Sequence, residues 1–341
     1  MDAAASDASA MPLAERLVRY GDLRPCTTAF IDTRTPGSAE KENFTIIGPG
    51  VAENPDQHVH IEIPHGFNIG GARQPPGCVN SQHSHETAEV FVVHSGTWAF
   101  MLGADGHDGR VILEEGDTIS IPIHVFRGFE NVGPEAGFLF AVLGGDDPGR
   151  VTWAPYVFEQ ASTYGLVLME DGSLVDTANG ESIPAGKKPM PATTDADVAA
   201  LRRMSGDELN RCVVRQAELA TALQPGPAGY AERPIIGAAN AAEQLSAGRM
   251  AWPHGFHLRF AHFSGGEVST EHVRHEEEVL LLQCGELNVR TPAGTVLMRA
   301  GDVLTLPIGM PRCFANNADR PVDLYIVRGG DSPAAPDIVS P

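Results

Sequence analysis

Residues 77–96 read GCVNSQHSHETAEVFVVHSG. His83 and His85 stand two apart, and Glu89 follows four residues later. In an extended strand alternate side chains share a face, so His83, His85, Thr87 and Glu89 point the same way along an unbroken strand. At about 3.3 Å of rise per residue the two histidine Cα atoms lie about 7 Å apart, close enough for both imidazoles to meet one ion. Val90 to Val93 is an apolar, β-branched run of the kind that forms a buried strand. An HxH pair alone says little, and His58 and His60 form a second one in this chain.

The whole spacing says more. Gly77, five residues, His83, one, His85, three, Glu89, six, Gly96 resembles the first signature of the cupin superfamily at every marked position. A second cupin signature, G-x5-P-x-G-x2-H-x3-N, is matched by Gly116, Pro122 and Asn131. It departs at two places: His124 stands at the PxG glycine and Arg127 at the fourth metal ligand. The resemblance implies a small antiparallel β-barrel with a metal held on His83, His85 and Glu89.

The motif occurs twice. Pro64-His65-Gly66-Phe67 recurs 189 residues later as Pro253-His254-Gly255-Phe256, and Gly77, His83, Glu89 and Gly96 map by the same offset onto Gly266, His272, Glu278 and Gly285. Beyond the strand the offset becomes 185, carrying Gly116, Pro122, Arg127 and Asn131 onto Gly301, Pro307, Arg312 and Asn316. A four-residue deletion in the intervening hairpin accounts for the step, and hairpin loops tolerate such changes. The chain therefore resembles a bicupin: an all-β protein of two tandem antiparallel, jelly-roll-like barrels with a helical connector.

The expected boundaries follow from turn signals and periodicity. Residues 1–56 form an N-terminal arm, disordered at first, with a short helix over 12–20 that starts at Pro12 and stops at Gly21. The first barrel covers 57–145. A connector covers 146–230, with a hairpin turning at Asp171-Gly172, one helix near Thr194, and another from a Ser205-x-x-Glu208 capping box through Ala222. The second barrel covers 231–331, and 332–341 is an extended tail.

The 341 residues carry 44 acidic and 24 basic side chains, a net charge of −20. That surface repels nucleic acid and anionic membrane, so neither is an expected partner. No run of about 20 apolar residues exists. The N-terminus lacks a basic stretch followed by an apolar one, and the five cysteines are scattered without a CxxC, which reads as a reduced, cytoplasmic compartment. The arm suits a homo-oligomer.

Imidazole and carboxylate ligands suit one divalent ion, Fe(II) foremost, with Mn(II), Ni(II) or Zn(II) also open. Two histidines and a carboxylate form the facial triad of non-haem iron oxygenases. Arg127 has two readings: a structural partner for Glu89, or a catalytic-site anchor for a substrate carboxylate, since guanidinium binds carboxylate through a fork. In the second half Arg274 and Arg312 fill two ligand positions, so that barrel is read as metal-free, with both arginines neutralising Glu278. His275 falls on the other face, and His94 faces away from the site. His124 is read as a pocket or surface residue, and His60 as the outlying histidine best placed to reach the pocket. Phe91, Trp98, Phe126 and Phe129 read as core. The expected function is a metal-dependent bicupin enzyme, a non-haem Fe(II) dioxygenase or oxygenase acting on a small aromatic or carboxylated molecule. A non-catalytic binding protein with a relic site, and an isomerase or lyase, stay open beside it.

Overall fold

The computed structural model describes residues 11–332 and 334–339. The disorder expected at the extreme N-terminus lies outside the described residues. The chain divides into two units. One comprises Arg24–Glu62 and Asn68–Val213; the other comprises Ile63–Phe67, Val214–Pro341 and the N-terminal residues through Leu23.

The first unit is built on two β-sheets. Its larger sheet orders the strands Val213–Val214, Thr118–Ile121, Glu89–Ser95, Gly137–Gly144, Phe67–Gln74, Glu42–Ile47 and Val59–Ile61. Its smaller sheet orders Val151–Trp153, Val79–His85, Arg127–Asn131, Trp98–Leu102 and Gly109–Leu113. Most of these pairings are antiparallel, and that of Glu42–Ile47 with Val59–Ile61 is parallel. Phe91, Ile119 and Leu139 from the larger sheet share one core with Trp98, Phe100 and Phe129 from the smaller. Burying each such side chain stabilises by about 1.5–3 kcal/mol. Phe91 meets Phe100 and Phe129 with ring centroids 5.1 and 5.2 Å apart.

Several elements differ from the sequence expectations. The motif strand is broken. It ends at His85, residues 86–88 bend, and a new strand starts at Glu89 in the other sheet. The stretch 12–20 is no α-helix: a short 3-10 turn at Leu13–Arg16 gives way to strand Leu17–Val18, which pairs with Val303–Leu306 in the second unit. One or two turns of helix are marginal alone, and burial of Leu13 and Val18 in that unit decides the outcome. The sheet of the first unit takes Glu42–Ile47 from the stretch read as arm. The Ser205 capping box is present, but its helix stops at Arg211 because Cys212 turns its carbonyl to the Ser120 amide and Val213–Val214 joins the sheet. A separate helix, Gln216–Thr221, follows. The Thr194 cap and the hairpin of Leu166–Leu168 with Leu174–Asp176 form as expected.

The second unit repeats the plan. Glu278–Cys284 lies between Val303–Leu306 and Val322–Gly329, followed by Phe256–Phe263 and Ala231–Ile236. A three-stranded sheet of Gly294–Arg299, Glu286–Thr291 and Cys313–Ala315 corresponds to the smaller sheet of the first unit. The tail strand Asp337–Ile338 pairs with His272–Val273.

Strand equivalence makes the interiors comparable. At the offset of 189, Asn43, Gly70, His85 and Glu89 correspond to Glu232, Arg259, Arg274 and Glu278; at 185, Arg127 and Leu143 correspond to Arg312 and Arg328. Uncharged positions in one half, Asn43, Gly70, His85 and Leu143, are thus charged in the other. The charges close a ring. Arg328 bonds Glu232 at 2.9 Å, Glu232 meets Arg259 at 3.1 Å, and Arg259 bonds Glu243. Glu243 then meets Arg274 at 2.5 Å, Arg274 approaches Glu278 at 4.0 Å, and Glu278 returns to Arg328 at 2.7 Å. Arg312 adds a bond to Glu278 at 2.9 Å. The guanidinium groups hold the Glu232 carboxyl down at about 2 and keep the Glu278 carboxyl well below the ordinary range, against the opposing effect of burial.

Candidate metal centre

The broken strand builds the site. His83 and His85 project from the smaller sheet, and Glu89 comes from the larger, just where the chain crosses between them. Their ligand atoms all lie within 4.8 Å of one another, and no other such group of three occurs among the described residues. All three are buried, at 3%, 2% and 5% exposure. Parity groups these three residues on one continuous strand; a bend at 86–88 instead turns Glu89 towards the histidines.

The donor set fits a divalent ion. His83 Nδ1 lies 2.7 Å from the Ser81 carbonyl, which fixes the proton there and leaves Nε2 as the lone-pair nitrogen. His85 Nε2 and Glu89 Oε2 are 3.6 Å apart, beyond a good hydrogen bond and near the separation of two ligands each about 2.0–2.2 Å from a shared ion. Burial and the Arg127 charge hold both imidazoles well below their ordinary pKa, so they are neutral, the form that binds metal. Burial pushes the Glu89 carboxyl up, and Arg127 opposes that push.

Arg127 is wholly buried and turned towards Glu89. Its Nη2 and Nε reach Oε2 at 2.7 and 3.1 Å, and Nη1 donates to the Val125 carbonyl at 3.3 Å. It does not line the cavity in front of the triad. That arrangement favours the structural partner among its two readings. Arg127→Met is expected to destabilise the metal-free protein by about 3 kcal/mol, because it strands a buried carboxylate. Loading with a divalent ion should recover much of that loss by supplying the missing charge. Melting curves with and without metal check this, and equal losses in both states would refute it.

The cavity holds about 70 Å³ and is mainly apolar. Phe30, Phe91, Phe129 and Trp153 supply aromatic wall, and Asn43, Thr45 and Asn80 supply polar atoms beside the triad. Gly70 and Gly71 bring bare backbone to the cavity edge, and a Cβ on Gly71 would stand 2.6 Å from the Phe138 ring on the far face of the sheet. Phe91 and Phe129 are therefore both core and wall. Trp98 stays in the core, and Phe126 packs with the connector.

The other histidines stay outside. His60 does not reach the cavity: Nδ1 contacts the Thr45 carbonyl at 2.8 Å and Nε2 accepts from the Arg24 amide at 3.1 Å. His94 packs on Phe138 and Phe140. His124 is exposed, at φ 59°, the left-handed backbone that glycine adopts freely, and its counterpart in the second unit is Gly309 at φ 77°. His275 is exposed beside Asp337.

Three supporting groups escaped sequence reading. Arg127 stands opposite His83 and Phe129 opposite Asn80, so three steps on the motif strand face two on its neighbour. This β-bulge at Ser81–Gln82 puts Asn80 on the His83 face, where simple alternation would turn it away. Asp32 accepts from the Ser81 amide at 3.0 Å and pairs with the buried Lys41. Glu53 accepts from the Ile31 amide at 2.7 Å and the Trp153 indole at 2.6 Å, and Trp153 packs on His83 with ring centroids 5.3 Å apart. Asp32, Lys41 and Glu53 lie in a stretch without periodicity or motif.

Burial pushes the Glu53 carboxyl up to about 8 from 4.5, with Asp32 adding to the rise and Lys41 opposing it. The folded state then holds a proton that the unfolded chain gives up near its ordinary value. Stability from this group is present below that value and falls as pH rises through about 8. Melting temperature is expected to drop over that window in wild type and less in Glu53→Gln; equal slopes would refute the assignment.

Comparison with known proteins agrees with this geometry. Residues 72–143 match the family model for the cupin domain. A germin-like protein of Arabidopsis thaliana, subfamily 1 member 10, is 34% identical over 83 residues, which cover 23% of this chain and 37% of that protein. The match thus spans little more than a third of the relative's length. Among solved structures, a point mutant of Bacillus subtilis oxalate decarboxylase superposes with a TM-score of 0.55 at 14% identity, over 95% of this chain and 79% of that one. The formate complex of Lactobacillus farciminis oxalate decarboxylase gives 0.56 at 12% identity, over 96% and 92%. At such identities the likeness is one of fold. The first half carries a cupin domain, and both halves share its plan. The chain as a whole shares the fold of these decarboxylase structures, and the cupin match itself falls on residues 72–143. Among the described residues no helix is long and apolar enough to cross a membrane, and none of the five cysteines forms a disulfide.

Proposed function

We propose that this chain is a metal-dependent bicupin enzyme whose first unit holds one divalent ion on His83, His85 and Glu89 and acts on a small molecule with an oxygen-bearing end. The carrying observation is the buried triad at the head of a small, aromatic-walled cavity. Two histidines and a carboxylate leave coordination positions open, and an ion there would supply Lewis-acid chemistry or, as Fe(II), dioxygen chemistry. The chain's own residues do the rest. Ser81 fixes the His83 tautomer, Arg127 holds Glu89, and the phenylalanines exclude water from the reacting end. Arg127 spends its charge on Glu89 and does not line the cavity. A singly charged, mostly apolar substrate therefore fits better than a compact dianion.

An Fe(II) oxygenase is the favoured chemistry, because the apolar wall suits an aromatic or aliphatic body beside a facial triad. A lyase acting on a small carboxylate is the second reading, supported by the decarboxylase structures whose fold this chain shares. Protein loaded anaerobically with Fe(II) or Mn(II) and offered small aromatic and aliphatic carboxylates separates them. Oxygen uptake coupled to substrate loss supports the oxygenase, and carbon dioxide release without oxygen uptake supports the lyase. Failure to bind any divalent ion refutes both.

A further inference from the structure

Asn80 is 95% buried and lines the cavity beside His83. Its amide orientation follows from chemistry. Lys41 Nζ lies 3.0 Å from Oδ1, and an ammonium group only donates, so the atom facing it must be the oxygen. Nδ2 then points to the His83 side, 3.4 Å from Nδ1. That ring nitrogen already donates to the Ser81 carbonyl at 2.7 Å, so it carries the proton and cannot accept from Asn80. Among the described residues the Asn80 N–H therefore has no acceptor, at a side chain that lines the cavity. Lys41 is in turn held rigidly: it is wholly buried, paired with the equally buried Asp32, and lies over the Phe30 and Trp153 rings. Asp32 also accepts the Ser81 amide of the bulge. The Lys41–Asp32 pair thus sets both the strand distortion that turns Asn80 inward and the end of the amide that faces in.

We infer that Lys41 is a positioning residue: with Asp32 it fixes Asn80 so that Nδ2 donates a hydrogen bond to a carboxylate or other acceptor oxygen of the substrate. This rests on the reading of the cavity as a substrate site.

Calorimetric titration of acetate and benzoate into wild type, Asn80→Ala, the pair Lys41→Met with Asp32→Asn, and the triple variant tests it, with metal content and melting temperature measured on each. The paired substitution removes both buried charges together, and the asparagine still accepts the Ser81 amide, so the fold is kept. Asn80→Ala should weaken acid binding about tenfold or more, the scale of a hydrogen bond to a charged group. The Lys41/Asp32 pair should weaken it about threefold or more with metal content unchanged. Its effect should vanish in the Asn80→Ala background, which a merely structural role would not produce. Unchanged affinity in Asn80→Ala, or additive losses in the triple variant, overturns the inference. Wild type that takes up metal but binds neither acid also overturns it and leaves the metal site standing. Asn80-dependent acid binding by a chain that takes up no metal upholds the donor and refutes the metal-dependent reading instead.

Discussion

His83→Ala is expected to lower bound metal from about one equivalent per chain to nearly none, while His272→Ala leaves it unchanged. Each ligand of a three-residue site carries a large share of the affinity, and the loss of one leaves two donors competing with water. The His83 ring is also held by Ser81 and packed on Trp153, which fixes its place in the triad. His85 and Glu89 variants should behave alike. In the second unit the equivalent positions are His272, Arg274 and Glu278, with Arg312 added, and Glu278 is already engaged by arginines on both oxygens. A cation placed there meets cations. Elemental analysis after anaerobic loading and desalting checks the pair of variants. Two equivalents in wild type, reduced to one by His272→Ala, would refute the assignment, and so would a wild type that retains none.

Glu278→Ala is expected to destabilise the chain by at least about 5 kcal/mol, the upper end for breaking a buried ion pair. The carboxylate bonds Arg312 and Arg328 and faces Arg274, and all three arginines are wholly buried. Removing it opens the ring and leaves several guanidinium groups without a counter-charge. The same ring sets an acid limit. The Glu232 carboxyl sits at about 2 in the folded state against 4.5 ordinarily. Its contribution is complete above the ordinary value and is lost as pH falls from there towards about 2. Denaturant titrations of wild type and Glu278→Ala at neutral and acid pH test both statements. A change within about 1 kcal/mol, the size of an exposed pair, would show that water screens the ring.

The second unit illustrates why a repeat read in one dimension understates its interior. The ligand-position arginines were visible in the motif; Arg312 bonds Glu278 as expected, whereas Arg274 pairs with Glu243 and only approaches Glu278 at 4.0 Å. Arg328, Arg259, Glu232 and Glu243 were not visible, because none belongs to the motif. Arg328 is the cross-strand partner of Glu278, as Leu143 is of Glu89. Strand pairing brings it there, and no local spacing reports it.

The sequence by itself determined the class of fold, the tandem repeat and the three side chains of the candidate metal centre. Period-two alternation and turn chemistry act over a few residues, and a motif with its ligands within seven positions carries its own geometry. Only the tertiary structure decided the rest. It broke the motif strand after His85, inserted a bulge that turned Asn80 inward, brought Asp32, Lys41 and Glu53 behind the site, and gave Leu17–Val18 to the second unit. Each of these is settled by what buries or hydrogen-bonds a group from far along the chain. A bulge persists where Asp32 accepts its free amide, and a short helix yields where a sheet edge offers its residues a partner.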